Sequence, residues 1–222
     1  MIPPIARRFI AGETPEAALD HTNNINSDGI GGILNLLGEH YHDRQPANED
    51  VDAYLDLIET IDNTNVNACI SVKPSQLGLE ISEDFFTDNL YRIVEHGDEH
   101  GIFVWIDMED SDTTDATLDG FESVTTEFKG GVGVCVQANL RRTKNDLERL
   151  ADLPGKVRLV KGAYDEPVDI AYQDKSRVNE AFKENLEFMF QEFDDGIAVG
   201  SHDSTMIDRA KQLHREHGTP FE

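Results

Sequence analysis

The chain has 222 residues, 38% of them hydrophobic, which suffices for one large domain or two small ones. Its 19 Lys and Arg against 44 Asp and Glu leave a formal net charge of -25. Such a surface repels phosphate backbones and anionic lipid, which excludes nucleic acid as a partner. The acid is dispersed in short clusters such as Glu49-Asp50 and Asp194-Asp195, the pattern of a solvated shell on a folded protein working in a highly saline cytoplasm.

The start, Met1-Ile2-Pro3-Pro4 followed by Arg7-Arg8, has no apolar core of a signal peptide, and no apolar run approaches a membrane span, so a cytoplasmic location is expected. An opening helix is predicted with Thr14 as N-cap and Pro15 at its first position. Short β-branched runs then alternate with amphipathic segments. Strands are predicted over 31–39 (GGILNLLGE), 67–74 (NACISVKP), 102–110 (IFVWIDMED), 131–140 (GVGVCVQANL), 157–164 (VRLVKGAY) and 196–203 (GIAVGSHD). Between them, Val51, Tyr54, Leu55, Ile58 and Ile61 share one helical face, as do Phe85, Phe86, Leu90, Ile93 and Val94. Leu118, Phe121 and Val124 mark a third such helix, Leu147 and Leu150 a short fourth, and Phe182, Leu186, Met189, Phe190 and Phe193 a fifth. A last helix carries Met206, Ile207, Ala210 and Leu213 and stops at Gly218. Cys69 and Cys135 both sit in apolar runs, as small buried thiols rather than a disulfide or a metal site.

A β-α unit repeated six times implies a parallel sheet covered by helices. A doubly wound sheet would carry a glycine-rich turn after its first strand, and LLGEHYHD has a single glycine. Polar residues instead stand at the C-terminal ends of most strands: Glu39, Lys73, Asp107 with Glu109, Gln137, Lys161, and His202 with Asp203. A site built from many strand ends is the mark of a (β/α)8 TIM-barrel type fold, the α/β class expected here. That fold needs eight units, and about six are present; Phe221-Glu222 can open a seventh strand. The whole chain is therefore expected to form a single barrel domain over 1–222, incomplete at its C-terminal end.

Several of these residues can carry chemistry. Asp107 ends an apolar alternating row, and a carboxylate there needs a cation or a hydrogen-bonded ligand; a structural ion pair or helix cap is the competing reading. Lys73 can grip a substrate carboxylate or lie along the surface. Gln137 can hydrogen-bond a planar heterocycle or be a satisfied core amide. Arg158 and Lys161 fall on opposite faces of one strand, and the one facing the axis needs a partner or an anionic ligand. Gly162-Ala163 offers backbone access to a ligand that approaches closely. His202 has no further ligands at metal spacing, so no metal is expected. Read this way, the residues point to a barrel enzyme with an anionic cofactor or substrate.

VRLVKGAYDEP, IDMEDS, SVKPSQLGL, VQANLRRT and GSHD, in this order, together with the opening ARRFIAGET and the LLGE of the first strand, closely resemble the monofunctional proline dehydrogenases. The resemblance spans essentially all 222 residues. It implies a distorted (β/α)8 barrel with FAD at its C-terminal face. It implies oxidation of L-proline to 1-pyrroline-5-carboxylate, the first step of proline degradation to glutamate, with electrons passed to a membrane quinone. The protein would then work in the cytoplasm or peripherally at the inner face of the cell membrane. By the same resemblance Lys73 pairs with the proline carboxylate, Asp107 is the active-site aspartate and Met108 lines the flavin. Gln137 hydrogen-bonds the isoalloxazine, and Arg158 lies near flavin N5. Lys161, Gly162 and Ala163 contact FAD, and Ser201 and His202 meet its adenosine or phosphate part.

Asn139 departs from the tyrosine common in the family, and Gly200-Ser201 replaces Ala-Thr while keeping a hydroxyl. The family continues past Phe-Glu into further strands and a helix with an arginine pair. A second chain or a further C-terminal segment is therefore expected to complete the barrel, and little or no proline oxidation is expected of these 222 residues alone. The alternatives are a barrel enzyme in which Lys161 forms a Schiff base, as in class I aldolases, and a non-catalytic or split fragment.

Overall fold

The computed structural model describes residues 11, 12 and 14–222. The opening ARRFIAGET therefore falls largely outside the described residues. The chain divides into two compact units, one ending at Trp105 and the other running Ile106–Glu222.

In the first unit, helix α1 (Pro15–Asn26) starts as its sequence dictates: the Thr14 hydroxyl accepts from the Ala17 N–H at 3.3 Å, and Pro15 opens the first turn. Strand β1 (Gly32–Leu34) pairs in parallel with β2 (Ala68–Val72), with Leu34 opposite Ile70. Between them runs α2 (Arg44–Thr64), which buries Val51, Tyr54, Leu57, Ile58 and Ile61. Leu57 takes the core place expected of Leu55, which lies at the margin of the stripe. α3 (Glu83–His100) is capped by the Ser82 hydroxyl, which accepts from the Phe85 N–H at 3.2 Å, and ends on Gly101 at φ 68°. The Ile70 N–H donates to Phe103 O at 3.1 Å, just ahead of β3 (Val104–Ile106).

β1 is much shorter than the predicted 31–39 run. Beyond Leu34 the Asn35 side-chain amide donates to Ser71 O at 2.8 Å, and the Leu36 N–H donates to the Tyr54 hydroxyl at 3.2 Å. Side chains thus satisfy groups that a strand ladder would otherwise use, and the apolar Leu37 is left exposed.

In the second unit a short 3-10 turn (Ser111–Thr113) leads into α4 (Thr114–Glu127). β4 (Val132–Gln137), α5 (Thr143–Leu150), β5 (Lys156–Val160), α6 (Lys175–Glu192), β6 (Ile197–Gly200) and α7 (Ser204–His217) follow. β4, β5 and β6 are parallel neighbours in chain order, in a register that sets Cys135 beside Arg158 and Arg158 beside Ala198. β4 is buried on both faces, as its VGVCVQ run requires of a central parallel strand. Phe182, Leu186, Met189 and Phe190 of α6 and Met206, Ala210 and Leu213 of α7 fill the helix-side core as expected. On the other edge of β6, Phe221 bridges to Ile197, and the Val199 N–H donates to Glu222 O at 2.8 Å, so Phe221-Glu222 does begin to pair as a strand.

Neither Cys69 nor Cys135 is in a disulfide, and the Cys69 thiol donates to Gly32 O at 3.6 Å. No helix among the described residues is long and apolar enough to cross a membrane.

Candidate active site at the strand ends

The charged feature of VRLVKGAY is resolved by alternation in β5. Val157 and Leu159 are buried, while Lys156, Arg158 and Val160 take the other face. The register gives Arg158 small neighbours, Cys135 and Ala198, which leave width for a guanidinium. Its Nη2 donates to Asp107 Oδ1 at 2.5 Å, with the side chains 15% and 27% exposed respectively. A charge-assisted bond of this kind contributes about 1.5–3 kcal/mol where water is largely excluded. The sequence left Asp107 between an ion pair and a ligand site; its partner is Arg158, 51 residues away. The adjacent Cys135 thiol has its pKa pushed up by burial, against a smaller downward pull from Arg158.

After β3, which ends at Ile106, the predicted alternation does not continue: Asp107 is partly open, whereas Met108 and Glu109 are both buried. Gln137, at the end of β4, is almost wholly enclosed: its Nε2 donates to Glu109 O at 2.7 Å, while its own carbonyl accepts from the Thr143 hydroxyl at 2.5 Å. Its amide nitrogen thus ties the end of β4 to the segment after β3.

Lys161, just past β5, donates from Nζ to Asp203 Oδ2 at 2.7 Å. Asp203 also caps α7, accepting from the Thr205 N–H at 3.0 Å. The hydrogen bond from Lys161, with that from the Thr205 N–H, lowers the Asp203 pKa below the usual carboxylate range. Asp203 thus turns to Lys161 and to its own helix. The Ser201 hydroxyl accepts from the Asp203 N–H at 3.1 Å, and His202 and Ala163 are exposed.

Gly162 has φ 102°, where an L side chain is strained. A Cβ there would stand 2.0 Å from Asn139 Oδ1. The space beside this glycine is occupied by Asn139, a physical reason for glycine that its sequence reading did not contain. Asn139 is itself buried, and its Oδ1 is among the buried atoms with no hydrogen-bond partner.

One carboxylate escaped the sequence reading. Glu166 is 9% exposed and accepts from both the N–H and the hydroxyl of Ser111, each at 2.6 Å. It pins the loop after β5 to the turn after β3. Its position directly before Pro167 signals an extended backbone, but nothing local separates it from the exposed Asp165.

Lys73 lies in the first unit, at the end of β2. Its Nζ donates to Glu39 Oε2 at 2.5 Å, and this bond holds the Glu39 carboxyl below its ordinary pKa. Below it Gln76 is fully buried, donating to Asp50 Oδ2 at 2.7 Å and accepting from the Tyr54 hydroxyl at 3.1 Å. The Tyr41 hydroxyl also donates to Asp50, at 2.9 Å, and its pKa is raised by burial and by that carboxylate.

A cavity of about 800 Å³ also occurs in the second unit, but at the opposite ends of the strands, lined by Gly155, Lys156, Gly196 and Phe221 among others. None of the strand-end groups named above borders it.

Six parallel strands alternating with helices, with charged groups gathered just beyond strand C-termini, define an α/β protein of the TIM-barrel type carrying its polar groups where that class builds active sites. The chain belongs to the proline dehydrogenase family, whose family model matches residues 18–222. It is 35% identical over 218 residues to the proline dehydrogenase of Deinococcus radiodurans, covering 96% of this chain and 70% of that protein. It is 34% identical over 215 residues to proline dehydrogenase 2 of Bacillus subtilis strain 168, with the same two coverages of 96% and 70%. Among solved structures, proline utilization A from Bdellovibrio bacteriovorus, inactivated by N-propargylglycine, superimposes with a TM-score of 0.88 at 22% identity. That match covers 97% of this chain and 27% of the larger protein, and it shows the shared fold.

Proposed function

We propose that the chain is an FAD-dependent proline dehydrogenase that oxidises L-proline to 1-pyrroline-5-carboxylate and delivers the electrons to a quinone at the inner face of the cell membrane. The observation that carries this reading is the pair of Arg158, in β5, with Asp107, at the end of β3, in a chain 35% identical to a proline dehydrogenase.

The donor set fits a flavin dinucleotide. Arg158 offers a cation shielded enough to act electrostatically on a ligand. Lys161 is a second, more open cation, and the pairing of Val160 with Gly200 sets it beside Ser201, with exposed His202 following. These groups suit the anionic phosphates, and Ala163 offers exposed chain beside them. Met108 and Gln137 would flank the ring system, Gln137 with its nitrogen already committed to Glu109 O. When bound, FAD supplies the two-electron acceptor for the hydride equivalent leaving the carbon beside the proline nitrogen.

Arg158 stabilises negative charge developing at the reacting edge, and Asp107 holds the guanidinium in place for that task. Lys73 takes the substrate carboxylate in exchange for Glu39, a side chain 52% exposed and therefore inexpensive to displace. Proline reacts as the neutral amine, because its nitrogen lone pair drives departure of the hydride equivalent.

The test is uptake of FAD by the purified chain, followed by anaerobic addition of L-proline. Bleaching of the flavin is a single-turnover readout and needs no steady-state rate. Because a second chain or a further C-terminal segment is expected to complete the barrel, we expect only slow bleaching by L-proline, slowed by a further factor of about 10²–10³ in Arg158→Met. Failure to take up FAD, or bleaching equally fast in Arg158→Met, overturns the proposal. Borohydride trapping of a carbonyl substrate on Lys161 would point instead to Schiff-base chemistry.

A further inference from the structure

The last turns of α2 and α3 bring together four metal-ligating side chains that the strand-end chemistry does not use. His96 and His100 are four residues apart on α3 and so share a face. Their ring centroids are 4.5 Å apart at an interplanar angle of 58°. Glu59 and Asp62 face them from α2. The ligand atoms of Glu59, His96 and His100 all lie within 4.8 Å of one another.

Ion pairing accounts for only part of this arrangement. His100 Nδ1 is 2.8 Å from Asp62 Oδ2, a full hydrogen bond. His96 Nε2 is different: it is buried, it faces Glu59 Oε1 at 3.5 Å, and it has no hydrogen-bond partner. A buried imidazole nitrogen aimed at a carboxylate without bonding it is satisfied by a cation held between the two. Asp62 and His100 lie in the last turns of their helices, which end at Thr64 and His100, so the terminal carbonyls add negative potential there.

We propose that Glu59, His96 and His100 bind a divalent transition-metal ion of the zinc class, joining α2 to α3. Two imidazoles and one carboxylate are a zinc ligand set with one position open to water. Asp62 is a positioning residue: by accepting from His100 Nδ1 it fixes the tautomer that presents Nε2 to the metal. Bonds of about 2.0–2.1 Å require tetrahedral ligand separations of roughly 3.4 Å, so the atoms must close by about 1.4 Å at most. Glu59 is 55% exposed and can make most of that movement by rotation. The i, i+4 spacing of His96 and His100 is visible in the sequence, but their carboxylate partners come from a second helix that only the fold brings to them.

The test titrates the EDTA-stripped full chain with ZnCl2 by calorimetry and follows thermal unfolding with and without Zn2+. The expected result is one ion per chain, a raised Tm, and a Co2+ complex with the strong visible absorption of four-coordination. His96→Gln and His100→Gln should each weaken Zn2+ binding at least tenfold, and Asp62→Asn by about tenfold. His21→Gln, on α1, should leave it unchanged. Excess Mg2+ should not displace Zn2+, because imidazole ligands select against it. Unfolding of the stripped variants in EDTA, compared with wild type, separates ligand loss from loss of fold. No stoichiometric binding, binding unchanged in both histidine variants, or displacement by Mg2+ overturns the proposal. The Co2+ spectrum of the unmodified chain decides the matter independently of any variant.

Discussion

Gly162→Ala isolates a packing device at the heart of the strand-end site. At φ 102° an L residue costs about 1–3 kcal/mol in backbone strain. The alanine recovers about 0.4–1 kcal/mol by restricting the unfolded chain. The new Cβ would lie 2.0 Å from Asn139 Oδ1, far inside contact distance, so the Asn139 side chain must leave its buried position. Overpacking of that kind costs about 1–3 kcal/mol, for a total near 2–4 kcal/mol. In an Asn139→Ala background the collision disappears and only the backbone cost, about 1 kcal/mol, remains. Urea unfolding of the four proteins in the double-mutant cycle reads the difference directly as a coupling of about 1–3 kcal/mol. The reasoning fails if Gly162→Ala costs the same in both backgrounds. A glycine kept only for ligand approach would instead cost the ligand-free protein no more than the backbone strain, the same in both backgrounds, and would lower its flavin content.

Acid should expose the strand-end ion pairs. Asp203 and Glu39 both have pKa values lowered in the folded chain, chiefly by hydrogen bonds from Lys161 and Lys73. The unfolded state therefore binds more protons in this range, and the stabilisation is present above the unfolded value near 4 and lost as pH falls through the folded values. The stability difference between wild type and Asp203→Asn should shrink below about pH 4, and a difference constant down to full protonation would refute the assignment. Thiol labelling gives a separate check: Cys69 is half-buried, whereas burial raises the Cys135 pKa. A disulfide reagent at mildly alkaline pH should modify Cys69 first and Cys135 only on unfolding, and equal rates would contradict the buried setting.

Local signals carried most of the fold. The Thr14 and Ser82 caps, the left-handed Gly101 and Gly218 ends and the helical stripes such as Phe182-Leu186-Met189 act within one or two turns of chain, so their patterns are readable in order. The parallel β-α alternation and the placement of Asp107, Gln137 and Lys161 at strand ends, with Arg158 inside β5, follow from the same short-range rules. Strand β1 is shorter than its apolar run because the Asn35 side chain takes the Ser71 carbonyl of β2 and the Tyr54 hydroxyl of α2 takes the Leu36 N–H. What the chain order alone could not set is partnership. Arg158 with Asp107, Lys161 with Asp203, Glu166 with Ser111 and Gly162 under Asn139 join segments about 20 to 55 residues apart. The sequence by itself determined which residues are charged, apolar or free of a side chain, and in which elements they lie. Only the tertiary structure decided which charge neutralises which, because that choice rests on strand register and on how much water each pair excludes.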